Sequence, residues 1–192
     1  MNSLQAFVNT CHERLIHGEK VNKPREYLLK IRSLTERTLI EHKIGYCPWG
    51  VDLDPNVRYF GEDLDDKEKR DWQYNIWGRI IVPIYDEFGT VISLATKKPA
   101  VGKHPWWNLP FVKGNALFLI DKARNEMYAK NKVYVVEGYV DALKLYQEGL
   151  KNVVAIMGTA LTLRKVGLIA RYCNNVCFGF DVDENRSGQK AS

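Results

Sequence analysis

From about Ala116 the chain alternates short apolar runs with helical segments, and this rhythm constrains the fold more than any other feature of the sequence. Val133 to Glu137, Val153 to Met157 and Val176 to Phe180 are the apolar runs. Asp141 to Glu148 and Leu163 to Tyr172 carry helical spacing between them, the first stopping at Gly149. Such alternation predicts a parallel sheet buried on both faces. In that sheet the strands all point one way, their C-terminal ends share a rim, and ligands bind where the strand order reverses. If the first run lies between the second and third, Glu137 and Asp181 straddle that point.

The rim is acidic. Glu137 is followed by Gly138-Tyr139-Val140-Asp141, and Phe180 by Asp181-Val182-Asp183. Asp181 and Asp183, two apart on an extended chain, project to one side, and Asp141 lies one turn past Glu137. Carboxylates gathered so closely stay ionised only when cations neutralise them. Magnesium takes a few carboxylates and completes its octahedron with water and phosphate oxygens, so the pattern points to magnesium-dependent phosphate chemistry, with manganese as a substitute. In the plainer alternative, Asp181 and Asp183 cap the following helix and Glu137 is an exposed strand end.

Upstream, Leu4, Phe7, Val8, Cys11 and Leu15 recur at helical spacing and predict a helix ending near Gly18. Pro24 suits the first turn of a second helix with Tyr27, Leu28 and Ile31 on one face. Thr35 is a good N-cap for a third, holding Leu39 and Ile40. Arg25, Lys30, Arg32, Arg37 and Lys43 decorate these helices, either as a solvated face or as a track for phosphates. Cys47 to Asp54 reads as a loop, and Glu62 to Arg70 as a charged helix or bend. Arg79 to Tyr85 and Thr90 to Ala95, joined by Asp86-Glu87-Phe88-Gly89, form the clearest hairpin. Pro83 in its first strand predicts an edge or a bulge. Lys97 to Gly114 is irregular and rich in Lys, Pro and Trp, so it reads as a functional loop. Its Trp106 and Trp107 suit either base stacking or packing onto the core.

A chain of 192 residues suits one domain or two small ones and can bury a real core. Lys and Arg exceed Asp and Glu by 28 to 23, a net charge of +5 that permits a nucleic-acid partner without requiring one. The four cysteines, Cys11, Cys47, Cys173 and Cys177, form no CxxC pair and have no His at zinc-ligand spacing. No zinc site is expected, and reduced thiols in a cytosolic protein are the simpler reading. Cys173 and Cys177 are expected on opposite sides of a helix-to-strand turn. There is no signal-like N-terminus and no apolar run near the ~20 residues a membrane span needs.

The residues Val135-Val136-Glu137-Gly138-Tyr139-Val140-Asp141, Met157-Gly158-Thr159-Ala160-Leu161-Thr162 and Phe180-Asp181-Val182-Asp183 with Ser187-Gly188-Gln189-Lys190-Ala191 resemble the TOPRIM domain of bacterial and phage DnaG-type primases. The two acidic motifs alone also admit topoisomerases and TOPRIM nucleases, whereas the GTALT run and the EGY form favour primase. Tyr27-Leu28 to Leu34-Thr35 with Ile44-Gly45-Tyr46, the Gly78 to Ile84 strand with Asp86 and Gly89, and Phe111-Val112-Lys113-Gly114 with Leu117 and Ala123 are similar to further primase segments. The resemblance runs from about Tyr27 to Ala191. Departures include Ala95-Thr96-Lys97-Lys98 where the family has GGR, a shortened Lys103 to Pro110 stretch, and an inserted Asn185-Arg186. Family members also begin with a zinc-binding domain and continue past this chain with another acidic strand, a helical subdomain and a helicase-binding region.

The resemblance implies an α/β fold: a TOPRIM-type parallel sheet with flanking helices over 116–192, incomplete at its C-terminus, preceded by a smaller basic α+β subdomain over 1–115. It implies magnesium-dependent synthesis of short RNA primers on single-stranded DNA during replication. Glu137 would be the acid/base or metal-organising carboxylate, with Asp181, Asp183 and Asp141 as metal ligands. Lys113, Arg79, Lys97 and Lys103 would hold triphosphate or template phosphates. The implied partners are the DNA template, ribonucleoside triphosphates and a replicative helicase, in the cytoplasm of a bacterium or phage-infected host and without a membrane. A TOPRIM nuclease and a non-catalytic module binding single-stranded DNA are the alternatives.

Overall fold

The computed structural model describes residues 3–50, 74–100, 102, 105–109, 113–158 and 160–180. The chain divides into two compact units, Met1–Ile84 with Val91–Phe111, and Tyr85–Thr90 with Val112–Ser192.

In the first unit, helix α1 (Ser3–His17) buries Leu4, Val8, Cys11 and Leu15, the stripe its spacing predicts. It lies directly on strand β1 (Gly45–Cys47) because Gly45 has no side chain: a Cβ there would stand 2.7 Å from the Cys11 carbonyl carbon. The buried His12 ring donates from Nδ1 to the Ile44 carbonyl at 2.8 Å, fixing the same contact. Helix α2 (Asn22–Glu26) contains Pro24 and runs into a π turn, Tyr27–Ile31, in which Arg32 N reaches back to Tyr27 O at 2.9 Å. The expected shared face is therefore corrected. Tyr27 and Leu28 are buried, but a π turn advances less per residue than an α turn, and Ile31 is left 54% exposed. Helix α3 (Glu36–Glu41) is capped by Thr35, whose Oγ1 accepts from Thr38 N, and it buries Leu39 while exposing Ile40.

A four-stranded sheet follows in the order β1–β2–β3–β4, with β2 at Arg79–Tyr85, β3 at Val91–Lys97 and β4 at Trp107–Asn108. The hairpin of β2 and β3 is as expected. Asp86 holds its turn, Oδ1 accepting from Phe88 N and Thr90 N at 2.9 Å each. Two expectations are corrected here. Cys47 belongs to a strand, paired with Arg79, and β2 is an inner strand despite Pro83. Three-residue β1 pairs only as far as Ile81, so Pro83 lies beyond it and forfeits no bond to that neighbour. Among the described residues of the Lys97 to Gly114 stretch, Lys97 ends β3, Trp107–Asn108 forms β4 and a 3-10 turn begins at Lys113. The charged segment Glu62 to Arg70 lies outside the described residues.

In the second unit the order is α4 (Ile120–Lys130), β5 (Lys132–Val136), α5 (Tyr139–Gln147), β6 (Val153–Ala155), α6 (Leu163–Ala170) and β7 (Asn175–Gly179). The strands form a parallel sheet, β6–β5–β7, with Val136 opposite both Ala155 and Gly179. The first apolar run is thus central, as the switch-point argument requires. Val133, Val135 and Val154 have no exposed surface and pack with Leu117, Met127 and Ile169. Each such side chain contributes about 1.5–3 kcal/mol of burial. The expectation of a sheet buried on both faces fails at β7, where Val176 and Phe178 are 37% and 41% exposed. Among the described residues no strand pairs with its outer side. Cys173 lies in the turn after α6 and Cys177 in β7, as expected, and all four cysteines are unbridged.

Candidate functional site

The second unit presents its chemistry where β5 ends. Glu137 follows Val136, and its backbone carbonyl accepts from Met157 N at 3.0 Å and Gly158 N at 3.3 Å. Those amides converge because Met157 and Gly158 both have left-handed backbones, at φ 62° and 69°. For Met157 that conformation costs on the order of 1 kcal/mol or more, and the turn holds it in place. The strand end carrying Glu137 is therefore gripped by the turn after β6.

Gly138 is extended, and α5 begins at Tyr139. Asp141, exposed in the first turn of α5, folds back so that its Oδ2 stands 2.5 Å from the point where a Cβ on residue 138 would lie. The glycine of the EGxxD motif is thus explained by the aspartate three residues on. It leaves the volume into which the carboxylate turns, beside the residue that follows Glu137. An acidic group in a helix's first turn is also favoured by the helix dipole.

Glu137 and Asp141 are thus brought to one strand-to-helix connection. They offer hard oxygen donors of the kind magnesium takes, one or two carboxylates completed by water and phosphate. Among the described residues no group of three His, Cys, Asp or Glu could hold a metal ion. Asp181 and Asp183 lie outside the described residues, as does Lys103. Lys113 opens the 3-10 turn Lys113–Asn115, whose Gly114 carbonyl accepts from Thr162 Oγ1 at 2.5 Å. Thr162 also caps α6, accepting from Lys165 N.

The first unit gathers cations at one end of its sheet. Arg79 starts β2 and Lys97 ends β3, and both are buried, at 7% and 6% exposure. Arg79 Nη2 donates to Thr96 O at 3.4 Å, while its Nε is buried without a hydrogen-bond partner among the described residues. Burial pulls the Arg79 guanidinium below its ordinary pKa. Burial lowers Lys97 too, and the Arg32 and Arg79 charges beside it lower it further. Lys97 Nζ also lies 5.8 Å from the Trp106 ring centroid. Three cations held together against their repulsion form a ready anion site. Of the two lysines that stand near the family's missing arginine, Lys97 joins this cluster and Lys98 is exposed.

Sequence reasoning left Arg32 among the general surface charges. The structure aims it: its Nε donates to Tyr27 Oη at 2.8 Å and the guanidinium lies over that ring at 5.1 Å. The available signal was a Tyr and an Arg five residues apart, a spacing that meets only on a π turn. Lys165 was missed as well, because a lysine on an amphipathic helix reads as surface.

Residues 134–192 match the Toprim-like family. The DNA primase of Synechococcus elongatus is 30% identical over 185 residues, 87% of this chain and 26% of that protein. The Escherichia coli primase catalytic core superimposes with a TM-score of 0.77 at 26% identity, over 98% of this chain and 64% of that one. A DnaG primase catalytic domain bound to single-stranded DNA gives a TM-score of 0.78 at 24% identity with the same coverage. The chain thus spans about a quarter of the length of the Synechococcus relative. By sequence and by fold, this chain is similar to DNA primases over the part of them that forms the catalytic core.

Proposed function

We propose that this chain supplies the catalytic core of a primase, joining ribonucleotides into short RNA primers on single-stranded DNA. The observation that carries the reading is the acidic end of the central parallel strand, where Glu137 follows Val136 and the Asp141 carboxylate turns back over Gly138. A solved relative of the same fold is a catalytic domain bound to single-stranded DNA. In this reading residues 1–115 form the basic subdomain and 116–192 the TOPRIM domain. The reaction takes place in the cytoplasm, and the partners are the template, ribonucleoside triphosphates and a replicative helicase.

Glu137 accepts the proton of the attacking hydroxyl or organises the metal, and Asp141, Asp181 and Asp183 complete the acidic set. Bound magnesium would clamp the reacting phosphates and offset the charge that develops on them. Arg79, Lys97 and Arg32 hold phosphates of nucleotide or template, with Lys113 and Lys103 as further cations. The burial of Arg79 and Lys97 strengthens each such contact relative to a surface lysine.

Glu137→Gln tests the assignment. With magnesium, ribonucleotides and labelled single-stranded DNA, the variant is expected to bind DNA normally and make no primer. Normal synthesis by that variant would refute the role, and cutting instead of extension by the unaltered chain would make it a nuclease.

A further inference from the structure

We propose that Trp49 and Trp77 form a base-stacking platform for single-stranded nucleic acid, beside the cation cluster of the first unit. This rests on the primase reading and adds to it a place where the strand's bases, rather than its phosphates, are held.

Trp49 is 64% exposed, an unusual state for a side chain that normally buries ~150–250 Å². It is nevertheless held in place. Its indole edge sits against Gly78, where a Cβ would stand 2.2 Å from Nε1 and 2.7 Å from Cε2. Gly78 also has φ +67°, a conformation that favours glycine, and its N–H donates to Cys47 O at 2.7 Å. Backbone geometry and space therefore both call for glycine at 78, and the result is an aromatic face fixed in position but left in water. Trp77 lies alongside with ring centroids 6.3 Å apart and planes tilted by 54°. That tilt leaves no parallel slot between the rings, so the arrangement suits one base stacked on an outer face of Trp49.

The position identifies the ligand. Cys47 pairs with Arg79, so Trp49 and Trp77 lie two residues beyond that pair on their respective segments, at the end of the sheet where β2 begins. The same end carries Arg79, which bonds to Thr96 O, and Thr96 in turn donates to Asn75 O at 2.8 Å. Lys97 follows Thr96 and is electrostatically coupled to Arg32 and Arg79. An exposed, fixed aromatic face next to cations is the combination that binds single strands, with bases stacking and phosphates paired. An apolar protein partner would not call for the three cations.

The test is binding of labelled oligo-dT and of an abasic deoxyribose-phosphate oligomer of the same length, by fluorescence anisotropy across a salt series. Trp49→Ala is expected to weaken oligo-dT binding about tenfold with an unchanged salt slope, and to leave abasic binding unaltered. Trp49→Phe should keep most of the affinity. Trp49→Leu, which retains apolar packing on Gly78, should lose it as the alanine variant does, and it serves if the alanine variant fails to fold. Equal oligo-dT affinity in the leucine variant, or an equal loss on the abasic oligomer, would overturn the platform while leaving the primase reading intact. If the unaltered chain binds neither oligomer, the primase reading fails and the platform with it.

Discussion

Lys165, with no exposed surface, donates its Nζ to the backbone oxygen of Ile156 at 2.9 Å. Ile156 leads into the Met157–Gly158 turn whose amides hold the Glu137 carbonyl. Lys165→Met keeps the volume and removes the donor to that backbone oxygen. It should lower unfolding stability by about 1–3 kcal/mol. Primer synthesis should fall through kcat with little change in nucleotide KM, because the acidic strand end loosens while the cations are untouched. Urea denaturation and steady-state kinetics check both parts, and wild-type stability would show that the turn stands without Lys165.

Gly138→Ala puts a methyl group 2.5 Å from where Asp141 Oδ2 now lies. The residue's backbone is extended, with φ −107°, and accepts alanine, so the cost falls on the flexible carboxylate rather than on the fold. Stability should drop by about 1 kcal/mol or less, the usual loss of a good N-cap. Manganese affinity, followed by its paramagnetic resonance signal, should weaken as it does in Asp141→Asn. Undiminished affinity in the alanine variant would remove Asp141 from the metal set.

Lys97→Met should move stability and binding in opposite directions. It relieves repulsion with Arg32 and Arg79, so unfolding stability should hold or rise by up to about 1 kcal/mol. It also deletes one phosphate partner, so single-stranded DNA binding should weaken and the slope against log salt should shrink by about one charge. A variant that loses stability and keeps its salt slope would mark Lys97 as a structural cation.

In the first turn of α4 the Asp121 Oδ1 is buried with no hydrogen-bond partner among the described residues, and burial raises its pKa despite the helix amides and Lys122 nearby. A raised folded pKa means the folded protein holds this proton longer than the unfolded chain. That contribution is full below the unfolded value near 3.8 and is lost as pH rises through the folded value. Asp121→Asn does not titrate, so its stability relative to the unaltered chain should improve from acid toward neutral pH, by about 1 kcal/mol or less. Urea melts at several pH values would show this, and a difference that stays flat with pH would contradict it.

The three parallel strands and the β2–β3 hairpin were legible because continuous and alternating apolar runs record burial directly, and Thr35 announced its helix by its own hydroxyl. What stayed hidden depended on partners distant in sequence. Lys165 is buried because the Ile156 carbonyl receives it, and no local pattern encodes that carbonyl. Pro83 is tolerated in an inner strand because β1 is short, a property of another segment. The exposed face of β7 could not be read from Val176 and Phe178, whose apolar character is the same whether or not something covers them. At the acidic site the motif glycine was visible at once, but its reason, the returning Asp141 carboxylate, required coordinates.

The π turn at Tyr27–Ile31 lets the helix leading to Arg32 absorb one extra residue. Arg32 meets Tyr27 only because five residues, rather than four, separate their hydrogen-bonded amide and carbonyl. Deleting Lys30, whose ammonium pairs on the surface with Glu26, removes no group from the site. It would convert the wide turn to an ordinary one and leave the arginine four residues past Tyr27, a spacing that still shares a helix face. An extra residue taken up by the π turn therefore leaves the arginine beside Tyr27, where an ordinary turn would have carried it roughly 100° away.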